Sequence, residues 1–363
     1  MKTVQTTSGE DLMVSLVAKN DDNERLLARA PVAVRDLTLA RDETWCRGMR
    51  AGVLGPDLSA QSLAVLAGEN KGSDQLAGYF VELKDGDRTF RRHFTVSSLS
   101  HVAHRAAVEL VKKESLKEKD TFTYYLSAVR PEQKAVAETN GVAAKVKHKP
   151  VLPVFEPAPL AEFVANSEPH YGCWTSEEEE ENFMPAFVSR EVWQEGQEQA
   201  RRGGEQESAA VWTGRLFRDT VSPELFLVLD ACLEAEHAIE EKLAVTFSGD
   251  TWGRVREVLD IRRKRLNRPH ERILGSVHGH PFMPEADDKG RLMCELCATA
   301  KFCTRTTAIA SPADLDWHRS VFAAQPWAIM LIWGMNAREL PDWKLYGLCD
   351  GTLSPRGIRL LKN

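Results

Sequence analysis

The stretch that decides the fold is His278-Gly-His280-Pro281, followed further along the chain by Ser311-Pro-Ala-Asp314. In an extended strand, residues i and i+2 point to the same side, so both imidazoles can face one metal ion. Histidine nitrogen and aspartate oxygen are ligands of zinc, and a hydrolytic zinc site needs only three protein ligands. The sequence therefore predicts that His278, His280 and Asp314 bind a catalytic Zn²⁺ ion.

The residues around these two motifs predict the elements that carry them. Residues 272–277 are apolar and partly β-branched, which indicates a strand that leads into the histidines. Ser311 is suited to cap a helix that continues over residues 315–324, and Asp314 would lie in its first turn. The hydroxyl of Ser311 and the carboxylate of Asp314 would then both lie at the positive end of that helix.

This arrangement resembles the JAMM metalloprotease motif of the JAB/MPN family, in which a distant glutamate precedes H-x-H-P and S-x-x-D. In the family the glutamate opens a passage written E-x-x-G-x-L-x-G. The stretch Glu207-Ser-Ala-Ala-Val-Trp-Thr-Gly214 has the same length and the same final glycine, although Ala210 and Trp212 depart from the pattern. Glu205, two residues earlier, is the alternative for the role of Glu207.

The resemblance covers about residues 180 to 363 and implies a fold. The order of elements matches the family: a helix over 184–202, strands at 225–229, 327–333 and 343–348, and a strand from 245 that turns into a helix over 252–265. A JAB/MPN domain over 181–363, similar to cytidine deaminases, would have a mixed central sheet flanked by helices. We therefore predict an α+β protein.

A long segment, residues 282–310, separates the two halves of the motif where the family has a short loop. Cys294 and Cys297 form a C-x-x-C pair, and Cys303 lies close by, which suggests a second, structural zinc site. The alternative is three reduced cysteines in a loop. The fourth ligand stays open among Asp287, Asp288 and an unpaired cysteine elsewhere.

The chain divides near residue 150. Residues 149–180 are rich in proline and in acidic residues and predict an extended linker. Residues 1–148 predict a separate α+β domain with a hairpin of strands 76–83 and 89–96 around Lys84-Asp-Gly-Asp87, a helix over 97–113 and a strand over 122–129. Recognition of a substrate or partner and a purely structural role are both open for this domain.

Composition excludes several classes of protein. The formal charge of −6 argues against a general nucleic-acid binder, which would have a basic surface. The chain has no apolar run long enough to span a membrane and no signal peptide at its start. Seven cysteines, an odd number, fit a reducing compartment, so we expect a cytoplasmic protein that binds neither membrane nor nucleic acid.

The resemblance also implies an activity. Relatives cleave peptide or isopeptide bonds after the C-terminal tail of ubiquitin or ubiquitin-like proteins, and bacterial members occur with E1-like and E2-like partners, sometimes in antiviral operons. Glu207 would act as general base and Ser311 would donate a hydrogen bond to the oxyanion. A non-catalytic MPN scaffold and a RadC-like protein are the alternatives.

Overall fold

The computed structural model describes residues 11–20, 23–56, 62–68, 75–117, 121–129, 153–172, 182–241, 244–292, 305–322 and 325–362. The chain forms two compact units, one of residues 1–152 with 350–352 and one of residues 153–349 with 353–363. Both contain helices and sheets, so the protein is α+β as predicted. In the described part of the chain, no helix has both the length and the apolar character needed to cross a membrane.

The first unit contains seven strands and two α-helices within its described residues. They are β1 (Asp11–Asn20), β2 (Asn23–Pro31), α1 (Thr38–Arg50), β3 (Ser62–Ala67), β4 (Gln75–Leu76), β5 (Gly78–Asp85), β6 (Arg88–Thr95), α2 (Ser100–Lys112) and β7 (Thr123–Val129). The strands form two sheets with the orders β2-β1-β7-β4 and β3-β5-β6. Buried apolar residues of both sheets and of α2 share one core.

The hairpin predicted around residues 84–87 in this unit is confirmed. Asp85 pairs with Arg88, so the two-residue loop is Gly86-Asp87. Gly86 has a φ of +60°, which glycine adopts without steric cost. The predicted helix and final strand are also present, as α2 and β7.

The second unit is built on one large sheet. Its described elements are β8 (Phe155–Ala158), α3 (Leu160–Ala165), β9 (Ser167–His170), β10 (Ala186–Ser189), α4 (Arg190–Arg201), β11 (Ser208–Asp219), β12 (Leu225–Glu234), β13 (Ile239–Glu241), β14 (Ala244–Thr246), α5 (Gly249–Arg265), β15 (Arg272–Gly279), α6 (Pro312–Val321), β16 (Ile329–Met335), β17 (Pro341–Cys349), β18 (Thr352–Arg356) and β19 (Ile358–Leu361). The strand order is β18-β17-β16-β15-β11-β12-β10-β19-β9, and β8 also pairs with β11. The sheet is mixed, because β15 is parallel to β16 and antiparallel to β11.

The predicted linker over 149–180 differs from the structure. Strand β8 pairs in parallel with β11, β9 pairs with β19, and α3 connects the two. The ring of Phe163 lies 5.0 to 5.9 Å from those of Phe187, Phe217 and Phe226, so α3 contributes to an aromatic core. Apolar residues between the prolines therefore anchor this segment to the sheet. The acidic run at 177–181 lies outside the described residues.

The helix predicted over 184–202 is wrong in its first part. Residues Ala186–Ser189 form β10, a short strand that is parallel to both β12 and β19. Helix α4 begins only at Arg190, because the Ser189 hydroxyl accepts a hydrogen bond from the backbone N–H of Val192 at 3.2 Å and caps it. The side chains of Ala186, Phe187 and Val188 are fully buried, as a central strand requires.

Helix α4 covers one face of the central strands and packs against Trp212. This side chain is fully buried, and its ring stacks on Trp193 of α4 at 5.9 Å. Gly196 of α4 makes space for this ring, because a Cβ at position 196 would lie only 3.2 Å from it. The large side chain of Trp212 is therefore accommodated by a glycine on the facing helix.

The contact between α4 and β15 requires Gly279, which lies between the two histidines. A Cβ at this position would collide with the backbone carbonyl oxygen of Ala200. We expect Gly279→Ala to lower the free energy of unfolding by about 3 kcal/mol, because neither backbone can move freely. Gly253→Ala is the control: a Cβ at this position of α5 meets nothing within 4 Å, so the change should stabilise by up to about 1 kcal/mol. Urea unfolding would measure both, and equal stabilities of the two variants would contradict the close approach.

Candidate metal centre

The two histidines face the same side of the sheet, as the sequence predicts. His278 belongs to β15 and pairs with Ala209 of β11 and with Ile332 of β16. His280 follows the strand, and its backbone N–H donates to the carbonyl oxygen of Trp333 at 2.7 Å, which keeps this residue extended. The two ring centroids lie 4.7 Å apart. Because side chains alternate along a strand, both rings lie on the face opposite to α4.

Glu207 joins the histidines because it directly precedes β11. Its Oε2 lies 3.0 Å from Nε2 of His278, and its Oε1 lies 3.8 Å from Nε2 of His280. The three side chains are buried, and one ligand atom from each lies within 4.8 Å of the others, so this group can hold a metal ion. Glu205 is exposed and is not part of the group. The structure therefore favours Glu207 over Glu205.

Asp314 completes the cluster from the other side. It lies in the first turn of α6, with Oδ1 3.8 Å from Nε2 of His278 and Oδ2 3.8 Å from Nε2 of His280. A capping box holds it in place: its Oδ2 accepts the Ser311 N–H at 2.7 Å, and its own N–H donates to the Ser311 hydroxyl at 3.2 Å. The prediction that Ser311 caps this helix is confirmed.

A backbone contact that the sequence did not indicate fixes the ring of His280. Its Nδ1 lies 2.6 Å from the carbonyl oxygen of Thr307, and a carbonyl only accepts, so Nδ1 carries the proton. The lone pair of Nε2 therefore faces the carboxylates of Glu207 and Asp314. Burial, followed by the neighbouring His278, lowers the pKa of His280, which keeps the ring neutral and able to bind a metal.

The cluster opens into a pocket of about 250 Å³. Its polar wall includes Glu207, His278, Ser311 and Asp314, and its apolar wall includes Phe247 and Trp317. The centroids of these two rings lie 5.0 Å apart. Because the pocket leads to the cluster, the site is accessible to a ligand. A substrate group in the pocket would contact the polar residues of the cluster.

The sequence missed three parts of this site, and only one of them had a signal. Ser276 lines the pocket, and its position two residues before His278 in a predicted strand implied the same face. Phe247 and Trp317 come from distant parts of the chain. Thr307 contributes its backbone carbonyl oxygen, and a contact made by a backbone atom cannot be predicted from a pattern of residue types.

The second predicted metal site lies outside the described residues. Cys294, Cys297 and Cys303 all fall within 293–304, so a structural zinc there stays a prediction. Two of the possible fourth ligands, Asp287 and Asp288, are described. The carboxylate of Asp287 already accepts hydrogen bonds from the backbone N–H groups of Lys289 and Arg291.

Helix α6 also carries His318, one turn beyond Asp314. His318 should make the stability of the fold sensitive to acid. The ring is fully buried against Phe322, and burial, followed by the charge of Arg319, lowers the pKa of His318 from 6.5 to about 3. The unfolded chain takes up this proton at a higher pH than the folded one, so stability is complete above pH 6.5 and falls as the pH drops towards 3.

We expect His318→Leu to remove this dependence. Between pH 6.5 and about pH 3, the free energy of unfolding of the wild type should fall as the pH drops. Its slope should exceed that of the variant by up to about 1.4 kcal/mol per pH unit. Urea unfolding of both proteins from pH 4 to pH 8, with metal chelated in every sample, would measure the difference. Parallel curves would show that His318 is not the group responsible.

Comparison with known proteins adds little to this geometry. No protein-family model and no curated protein matches the chain. A solution structure of a protein from Desulfitobacterium hafniense aligns with 18% identity and a TM-score of 0.29, over 49% of this chain and 94% of that chain. A TM-score of that size is too low to indicate a shared fold, so a functional conclusion has to come from the site.

Proposed function

We propose that the second unit is a JAB/MPN domain and that the protein is a zinc-dependent hydrolase of amide bonds. His278, His280 and Asp314 would bind Zn²⁺, and Glu207 would act as the general base. The observation that carries the proposal is the convergence of two imidazoles and two carboxylates, of which all but the half-buried Asp314 are buried. A lone pair of His280 and two carboxylates directed at one small space favour a cation there.

The residues fit zinc in their chemistry and spacing. Neutral histidine nitrogen and carboxylate oxygen are the donors found in catalytic zinc sites. Two atoms bound to zinc at about 2.1 Å in a tetrahedral arrangement lie roughly 3.4 Å apart. The Nε2 atoms of His278 and His280 each lie 3.8 Å from an oxygen of Asp314, a separation slightly above this value. The Thr307 carbonyl, which orients His280, is the kind of outer contact that metal-binding histidines usually have.

The protein's own residues would divide the chemical work. When bound, Zn²⁺ supplies Lewis-acid chemistry and lowers the pKa of a coordinated water molecule. Glu207, beside His278, would take the proton from the attacking water and transfer it to the leaving amine. Asp314 is fixed by its hydrogen bond from Ser311 and would hold its place as a ligand throughout. The hydroxyl oxygen of Ser311 accepts a hydrogen bond from the backbone N–H of Asp314. The hydroxyl proton of Ser311 would therefore be available to donate to the oxyanion.

The proposed substrate is an amide bond that follows the C-terminal tail of a ubiquitin-like protein, in a conjugate or in a precursor. This part rests on the resemblance of the motif to JAMM proteases. E1-like and E2-like proteins would be the partners that form such conjugates, and the setting would be the cytoplasm of a bacterium.

Cleavage of ubiquitin-like fusion proteins tests the proposal. The full chain should cleave at least one member of a panel after the tail, lose this activity with a chelator and recover it with Zn²⁺ but not with Mg²⁺, which prefers oxygen ligands. A zinc-loaded chain that cleaves no member of the panel would instead support the non-catalytic MPN scaffold or a RadC-like role.

Ser311 has two roles that can be separated. Ser311→Ala should lower kcat by roughly 10²-fold, because it removes the proposed oxyanion donor, and should destabilise the fold by about 1 kcal/mol through loss of the helix cap. Ser311→Thr keeps the hydroxyl and should retain most of both. Rates measured together with urea unfolding would reveal a purely structural role if the alanine variant lost stability but kept its kcat.

A further inference from the structure

We propose that the pocket beside the metal centre is a specificity pocket for a tyrosine-like side chain of the substrate. The assignment rests on the proposed function, because it makes the occupant a neighbour of the bond that is cleaved. Glu207, His278 and Asp314 line the same pocket. A substrate side chain inside it would therefore bring the adjoining backbone amide to the residues that act on it.

The size of the pocket suits an aromatic ring. Its volume is about 250 Å³, and a protein cavity of about 150 Å³ is enough for benzene. Two of its lining residues, Ala209 and Ala313, have only a methyl side chain, which leaves this space open. A phenol ring, with room for the connecting methylene, is therefore accommodated without rearrangement of the walls.

Aromatic side chains form one wall of the pocket. Phe247 lies between two tryptophans: its ring centroid is 5.0 Å from that of Trp317, with the planes tilted by 40°, and 5.0 Å from that of Trp252, which stacks on it. Trp252 supports Phe247 from a position that is not part of the lining. Aromatic rings attract one another at centroid distances of about 4.5 to 7 Å, so this wall favours an aromatic occupant over an aliphatic one.

A single unpaired hydroxyl defines the polar requirement. Ser276 is 2% exposed, and within the described part of the chain its Oγ has no hydrogen-bond partner. It lines the pocket and, two residues before His278 in β15, points to the same side of the sheet. A purely apolar occupant would leave this hydroxyl without a partner at a cost in free energy, whereas the phenolic oxygen of tyrosine can pair with it.

Small aromatic probes test the pocket without any reaction. We expect the zinc-loaded full chain to bind p-cresol about tenfold more tightly than toluene, as one buried hydrogen bond allows. Ser276→Ala should abolish this difference. Ala313→Phe, at an exposed helix position, should fill the pocket and weaken both probes, whereas Val221→Phe, at a residue that is 90% exposed and outside the lining, should weaken neither. NMR titration would measure all four proteins, and a preference for p-cresol that survives Ser276→Ala would overturn the assignment.

Peptide substrates then connect the pocket with turnover. Each position on either side of the scissile bond would be varied among alanine, phenylalanine and tyrosine. We expect one position at which kcat/KM follows the order tyrosine, phenylalanine, alanine, with the tyrosine advantage lost in Ser276→Ala and the whole preference lost in Ala313→Phe. Cleavage without any such position would overturn the pocket and leave the proposed function intact. If p-cresol bound as expected but no peptide or fusion protein were cleaved, the assignment of the pocket would stand and the proposed function would be overturned.

Discussion

Glu207→Gln is expected to lower kcat on a protein-linked amide by roughly 10²- to 10⁴-fold while the protein keeps its zinc. Glutamine has nearly the shape of glutamate and can still contact His278, where the carboxylate lies 3.0 Å from Nε2. It cannot accept a proton from water at neutral pH. The change should therefore remove proton transfer and leave the three proposed ligands in place.

Glu205→Gln is the matched control, since Glu205 is two residues away, exposed and outside the metal-binding group. We expect this variant to keep the wild-type kcat and zinc content. Steady-state rates and elemental analysis of both variants decide between the two glutamates. If Glu207→Gln also lost its zinc, Glu207 would be a ligand and the base would have to be sought elsewhere.

The elements that carry the motif could be predicted because local rules determine them. His278 and His280 share a face through the two-residue repeat of a strand, and the Ser311 cap follows from the preference of serine for the start of a helix. These signals lie within a few residues of one another. The sequence therefore indicated both the side of the sheet and the helix end that meet at the cluster.

The elements that the sequence missed depend on partners far away in the chain. Strand β10 is only four residues long and continues directly into α4, so its apolar residues fit the repeat of the helix that follows. Its partners, β12 and β19, lie well beyond it in the sequence. Strand β8 contains a proline and lies in a proline-rich stretch, yet pairs along β11. Composition alone cannot distinguish such a segment from a linker.

The orientation of the site also depends on contacts with no local pattern. The contact of His280 with the Thr307 carbonyl links the histidine motif to a residue near the end of the long segment, 282–310, that splits the motif. Thr307 is in turn bound to β16, since its backbone N–H donates to the carbonyl oxygen of Met335 at 2.9 Å. The last part of the inserted segment therefore returns to the sheet and supports the histidine there.

Replacing both His278 and His280 by alanine should abolish zinc binding at this site and all cleavage that depends on it. The two imidazoles supply two of the three proposed ligands, and Asp314 alone cannot hold zinc against a chelator. Zinc that binds only the folded state raises its stability, so added Zn²⁺ should increase the melting temperature of the wild type and not of the double variant. Elemental analysis, thermal unfolding with and without Zn²⁺, and cleavage of the fusion panel would measure the three effects.

His270→Ala controls for the loss of a histidine, because His270 is exposed and precedes β15 by two residues. This variant should behave like the wild type in all three measurements. A zinc ion that remains in the double variant would locate a second site at Cys294, Cys297 and Cys303, and further removal of those cysteines should release it. If the zinc content and the zinc-dependent melting temperature did not change in the double variant, the cluster would not be a metal centre.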